Sequence, residues 1–137
     1  MSFEDIQTAS VIRYPYLWVR EAKRGETEGR KGRPVAVGVR LQRSGGDLLL
    51  LFPITSQHPE PGGFAVEIPD IEKRRAGLEV ALRLWIVFDE YNTDVIGQSY
   101  YLEPDPPIGR FSKAFFLPHI QEVLARRKRL AGVNRGR

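Results

Sequence analysis

From residue 34 to residue 42 the chain reads PVAVGVRLQ, in which Val35, Val37, Val39 and Leu41 alternate with small or polar partners. That period of two is the mark of a strand with one buried face. Pro34 is tolerated at its first position, where the missing N–H breaks no ladder bond. The next run, LLLLFPITS at residues 48–56, is apolar almost throughout and closely bounded by Gly and Pro, so it predicts a strand buried on both faces. SGGD between the two reads as a hairpin-like turn. FAVEIP at 64–69 alternates again after the Pro/Gly loop QHPEPGG, and LRLWIVFDEYN at 82–92 predicts a further strand. Near the start, the aromatic and β-branched YPYLWV at 14–19 predicts the first strand.

The pattern changes at both ends of this series. REAKRGETEGRKGR is polar and punctuated by Gly, which predicts a long mobile loop between the first two strands. EPDPPIG is a rigid, Pro-dense linker. Beyond it, Phe116, Ile120, Val123, Leu124 and Leu130 recur at the 3.6-residue spacing of a helix. Pro118 suits the first position of that helix, with 112–117 forming a separate turn. The terminal RRKR suits the negative end of its dipole. Residues 1–12 read as an N-terminal tail, 13–130 as one domain and 131–137 as a frayed, flexible tail. Five short strands, one long early loop and one terminal helix predict a mainly β fold, a small, strongly bent antiparallel β-barrel closed by its C-terminal helix.

Charge changes this picture more through its distribution than through its net value of +4. Residues 20–43 carry eight Lys/Arg against three acids, and 110–137 carry eight against one, whereas 47–105 carry four against eleven. Two basic segments folded onto one face attract a polyanion. Each run taken singly also reads as solvated surface. The chain has no cysteine, which excludes disulfides, thiolate metal sites and thiol nucleophiles. It has no apolar run of membrane-spanning or signal-peptide length, so a cytoplasmic protein without a membrane partner is expected.

The candidate chemistry is narrow. His58 and His119 are far apart in sequence, so no metal site is expected, and neither a Gly-x-Ser-x-Gly turn nor a phosphate-binding Gly loop is present. No cofactor is expected. What remains is Arg33, whose fork of donors matches phosphate oxygens, and Thr55, a hydroxyl at the end of the buried strand. Together they suit a phosphodiester and the added charge of its pentavalent transition state. In RNA the 2′-hydroxyl supplies the nucleophile. Arg33 is a poor general base, which leaves Glu26, Glu28 and His58 as candidate bases. Arg30 and Lys31 attract phosphate by charge, and Ser56 and Gln57 neighbour Thr55. Tyr14, Tyr16 and Trp18 share a face at period two, as base-stacking rings or as core. Trp85 and Phe88 read as packing residues, and Tyr91, Tyr100 and Tyr101 as loop aromatics open to stacking.

These residues resemble a known family. GRKGRPVAV looks like the Gly-x-Arg-Pro-(hydrophobic) segment that opens the second strand of MazF/PemK/Kid toxins, and FPITSQ looks like their Ile-Thr-(small)-Gln strand end. FAVEIP, GLEVALRLWIVFDE and IGRFSKAFFLPHI are similar to the later segments, in order, over roughly residues 13–125. The resemblance implies a small SH3-like, CcdB-type antiparallel β-barrel that forms a homodimer and acts as the toxin of a toxin–antitoxin pair. It implies a metal-independent endoribonuclease that cuts single-stranded RNA to a 2′,3′-cyclic phosphate and is neutralised by an acidic antitoxin. The family's catalytic Arg and Thr fall on Arg33 and Thr55, and Gln57 on a frequent polar neighbour. The sequence departs from the pattern at VFDEYNTDVIG, where Asp89 and Glu90 stand and the family's Arg is missing. An inactive RNA- or protein-binding barrel and a gyrase-type protein-target poison are the alternatives on the same fold.

Overall fold

The structure, a computed structural model, describes residues 3–29, 32–127 and 130–136. It is mainly β, as the pattern predicts, with an antiparallel sheet curled into a half-barrel and three helices where one was expected. The strands are β1 (Ser10–Tyr14), β2 (Arg33–Leu41), β3 (Leu48–Thr55), β4 (Ala65–Glu67), β5 (Trp85–Val87), β6 (Glu90–Val95), β7 (Gly109–Arg110) and β8 (Ala131–Asn134). The helices are α1 (Val19–Lys23), α2 (Asp70–Arg75) and α3 (Lys113–Ala125).

β3 is the hub. One edge pairs along its length with β2, from Leu41↔Leu48 to Val35↔Pro53, and β2 in turn pairs with β1, and β1 with β7. The other edge is shared: Leu48 to Leu51 pair with β6, whereas Ile54 and Thr55 pair with β5, which also carries β4. The fully apolar composition of β3 follows from this position, because both of its faces are covered. Phe52 and Ile54 pack with Ala36, Ile86, Phe88 and the α3 residues Phe116, Ile120 and Val123. Leu49 and Leu51 pack on the opposite face with Ile12, Tyr14, Val35 and Val37. The curl begins where the β2–β3 register slips between Val37 and Val39. Gly38 sits at that bulge because a Cβ there would run into the Phe52 ring.

Several elements differ from the expectation. The first strand lies at Ser10–Tyr14 rather than 14–19, since Pro15 has no N–H for a ladder and the chain folds back, with the Tyr16 N–H bonding the Tyr14 carbonyl at 2.8 Å. Residues 6 and 9, read as tail, are buried. The long loop opens with α1, whose start is closed by Glu21 accepting the Trp18 N–H at 3.1 Å. The single strand expected at 82–92 is two, because β5 and β6 serve different halves of β3 and the chain must step between them at Phe88 and Asp89. Asp89 holds this step by accepting the Phe64 N–H at 2.8 Å.

α3 is continuous from Lys113, with Pro118 inside it rather than at its start. Ser112 caps it, accepting the Phe115 N–H at 3.2 Å. Ser112 is itself tied to the buried Glu72 of α2 through its N–H and its hydroxyl, both at 2.8 Å. Burial pushes Glu72 up, but these two bonds and the Arg75 guanidinium outweigh it and hold the carboxyl below its ordinary range. Capping together with Phe116 burial offsets the one intrahelical bond that Pro118 removes, whose orphaned carbonyl belongs to the exposed Ala114. Lys128 and Arg129 of the RRKR run lie outside the described residues. Residues 131–134, expected to fray, form β8, which pairs parallel to β6 from Glu90↔Ala131 to Thr93↔Asn134. No helix among the described residues is long and apolar enough to cross a membrane.

Candidate functional site

β2 starts at Arg33 and β3 ends at Thr55, and their antiparallel register, carried two residues beyond Val35↔Pro53, brings both to the same end of the ribbon. A cavity of about 660 Å³ opens there. Arg33, Thr55, Ser56 and Gln57 all line it, so the structure brings together four residues singled out in the sequence. The opposite wall comes from the α1 region as Trp18, Arg20, Glu21 and Arg24, with Arg13 from β1 and Glu79 from the turn after α2.

Arg33 is the unusual member. Its guanidinium lies 5.7 Å from the Trp18 ring centre, on a ring that also carries Arg20 at 4.7 Å. Its Nε is buried and has no hydrogen-bond partner among the described residues. A buried donor left unbonded is disfavoured by about 1–3 kcal/mol. Aromatic contact does not replace an acceptor for that N–H. Thr55 is half-buried, and its Oγ1 accepts the Gln57 N–H at 3.0 Å. That bond fixes the oxygen and turns the chain out of β3, while the hydroxyl proton stays available for donation.

Trp18 is held by structure on its far side. Tyr16 packs edge-on against it at 5.3 Å, and both Tyr14 and Tyr16 are fully buried core residues. The stacking role is therefore closed to those two tyrosines. Glu90 secures the α1 wall by accepting the Val19 N–H at 2.9 Å and the Tyr16 hydroxyl at 3.0 Å. Burial raises the Glu90 carboxyl above its ordinary range, against the pull of those two donors. Asp89 and Glu90, which stand where the resembled family has other residues, thus both anchor neighbouring backbone.

The candidate bases are placed elsewhere. Glu26 and Glu28 line a second, smaller cavity between α1 and β2. His58 is exposed, packs 5.1 Å from the Trp85 ring, and has its Nδ1 3.1 Å from the Pro59 carbonyl. None of the three lines the arginine cavity. Arg30 and Lys31 lie outside the described residues. The carboxylates that do line it are Glu21, buried and bonded to the Trp18 N–H, and Glu79, exposed and accepting the Ala81 N–H at 3.0 Å. Among the described residues no three His, Asp or Glu side chains gather at metal-ligand spacing.

Sequence reasoning missed Arg13, Arg20, Arg24 and Glu79. Arg20 and Arg24 were legible only as part of a basic run. Arg20 lies in α1 and Arg24 is the residue that caps its C-terminal end, and the Gly-punctuated sequence concealed that helix. Glu79 carried no local signal. Comparison with protein-family models, with curated proteins and with solved structures finds no match for this chain.

Proposed function

We propose that the cavity binds a phosphodiester of single-stranded RNA and that the protein is an endoribonuclease of the MazF/PemK toxin type. The observation that carries this reading is the cavity at the shared end of β2 and β3, which Arg33 and Thr55 line together with Arg13, Arg20 and Arg24. In the reaction the 2′-oxygen attacks the adjacent phosphorus and loses its proton. The bond from phosphorus to the 5′-oxygen breaks, and that oxygen takes a proton from solvent. The products are a 2′,3′-cyclic phosphate and a 5′-hydroxyl end. Arg33 offsets the charge that grows on the phosphoryl oxygens, and Thr55 donates to one of them. Glu79 takes the 2′-proton, because it is the exposed carboxylate of the cavity while Glu21 is already engaged. Like the resembled toxins, the chain would work as a cytoplasmic homodimer and bind an acidic antitoxin protein, without metal or cofactor.

The test is cleavage of an end-labelled single-stranded RNA pool in the presence of EDTA. The wild type leaves cyclic phosphate ends, Arg33→Ala lowers the rate by about 100-fold or more, and Glu79→Gln by about 100-fold. Full activity in Arg33→Ala would sink the assignment. The second reading is an RNA-binding barrel without catalysis, favoured by the placement of Glu26, Glu28 and His58 away from the cavity. It predicts the same Arg33-dependent RNA binding and no cut ends.

A further inference from the structure

The chain between Pro15 and Glu28 is an excursion from the barrel, and it carries Trp18, Arg20, Glu21 and Arg24, the whole α1 wall of the cavity. Its two ends meet at one side chain from the far terminus. Arg135, only 9% exposed, donates through Nη1 to the Pro15 carbonyl at 2.8 Å and to Asn92 Oδ1 at 3.2 Å. Through Nη2 it donates to the Thr27 carbonyl at 3.3 Å and the Glu28 carbonyl at 3.2 Å. Its guanidinium lies 3.9 Å from the Tyr101 ring centre and 5.6 Å from that of Tyr14. β8 delivers it there, the Arg135 N–H continuing the ladder to the Thr93 carbonyl at 2.7 Å.

We propose that Arg135 is a positioning residue for the cavity: it rivets Pro15 to Thr27 and Glu28 and so fixes the wall that presents Trp18, Arg20 and Arg24 opposite Arg33. The proposal rests on the reading of that cavity as the RNA site. Three features single out Arg135 for this role. Three of the four acceptors are backbone carbonyls, on both sides of α1, so the bond pattern ties chain to chain rather than charge to charge. The planar fork reaches all of them at once, which an ammonium on a single point cannot do. The return of the excursion is close-packed at the same place, where Gly29, at φ +69°, leaves no room for a side chain, a Cβ there standing 2.5 Å from the Pro15 carbonyl oxygen.

The wall should therefore loosen when the rivet is cut, although Arg135 lines no part of the cavity. Two readouts test this in Arg135→Ala and Arg135→Lys. One is the rate of trypsin cleavage after Arg20, Lys23 and Arg24, mapped by mass spectrometry. The other is the affinity for a fluorescein-labelled 2′-O-methyl RNA oligonucleotide, whose blocked 2′-oxygen prevents cutting. Arg135→Ala is expected to be cut about tenfold faster within the excursion and to bind about tenfold more weakly, with near-UV circular dichroism of the barrel retained. Arg135→Lys falls between it and the wild type. Unchanged cutting, or faster cutting with unchanged affinity, overturns the proposal. If Arg135→Ala does not fold, the Lys variant decides by the same criteria. Should the wild type fail to bind the oligonucleotide, the RNA reading falls, and the proteolysis arm alone decides whether Arg135 rivets the excursion.

Discussion

Arg33 and Arg135 both lie against aromatic rings, yet their surroundings are opposite. Arg135 has four hydrogen-bond acceptors and lies over two tyrosines, one of which, Tyr14, donates its hydroxyl to the buried Asp94 at 2.6 Å. Asp94 also accepts the Ser99 hydroxyl at 2.6 Å. Around Arg33 there is Trp18, an open cavity and an unbonded Nε. A saturated buried guanidinium holds a fold together, because removing it strands its acceptors. An unsaturated one beside a cavity adds little to stability. The charge of the two residues is the same, and only the acceptors within reach separate them.

Stability measurements can break this comparison. The largest effect is expected for Asp94→Ala, which strands the buried Tyr14 hydroxyl, removes the acceptor of the half-buried Ser99 hydroxyl and should lower the unfolding free energy by about 3 kcal/mol in a urea titration. A loss below about 1 kcal/mol would mean that the network around Arg135 is not a structural one. Arg33→Ala should change the same quantity by less than about 1 kcal/mol, since it removes an unbonded donor, while still abolishing most RNA cleavage. A large destabilisation there would place Arg33 with Arg135 as a structural residue.

The smallest effects are expected in pH dependence, where two carboxylates on either side of the sheet have opposite signs. Glu72 is held below its ordinary value of 4.5. The stability it contributes is present above that pH and is lost as pH falls through its lower folded value. Glu90 is raised above 4.5, so its contribution is present below that pH and is lost as pH rises through the folded value. Urea midpoints between about pH 3 and about pH 8 should show Glu72→Gln lowering stability on the neutral side, and Glu90→Gln raising it there relative to acid. Equal slopes for both variants and the wild type would contradict both assignments.

The hairpin at the centre of the molecule was legible because its signals are local. Alternation in 34–42 and an unbroken apolar run in 48–56 specify a half-buried strand beside a fully buried one, and the Arg33 and Thr55 ends follow from their pairing. The segment 20–33 was illegible for the converse reason. Its polar, Gly-rich composition has no periodicity of its own, and α1 exists because Glu21 and Glu90 cap it and Trp18 seats it on Tyr16. α3 was legible in its buried face, though Pro118 misplaced its start, since the Ser112 cap depends on Glu72 from forty residues earlier.

What the sequence by itself determined is the curled antiparallel sheet with a helix on its C-terminal side, and the pairing of an arginine with a threonine at one strand end. Those follow from side-chain period and strand order, which act over a few residues. Only the tertiary structure decided which acids stand near that pair, which arginines line the same cavity, and that Arg135, just beyond β8, secures the α1 wall. Each of those depends on backbone segments far apart in the chain meeting at hydrogen-bond distance, and no local pattern of residues encodes such a meeting.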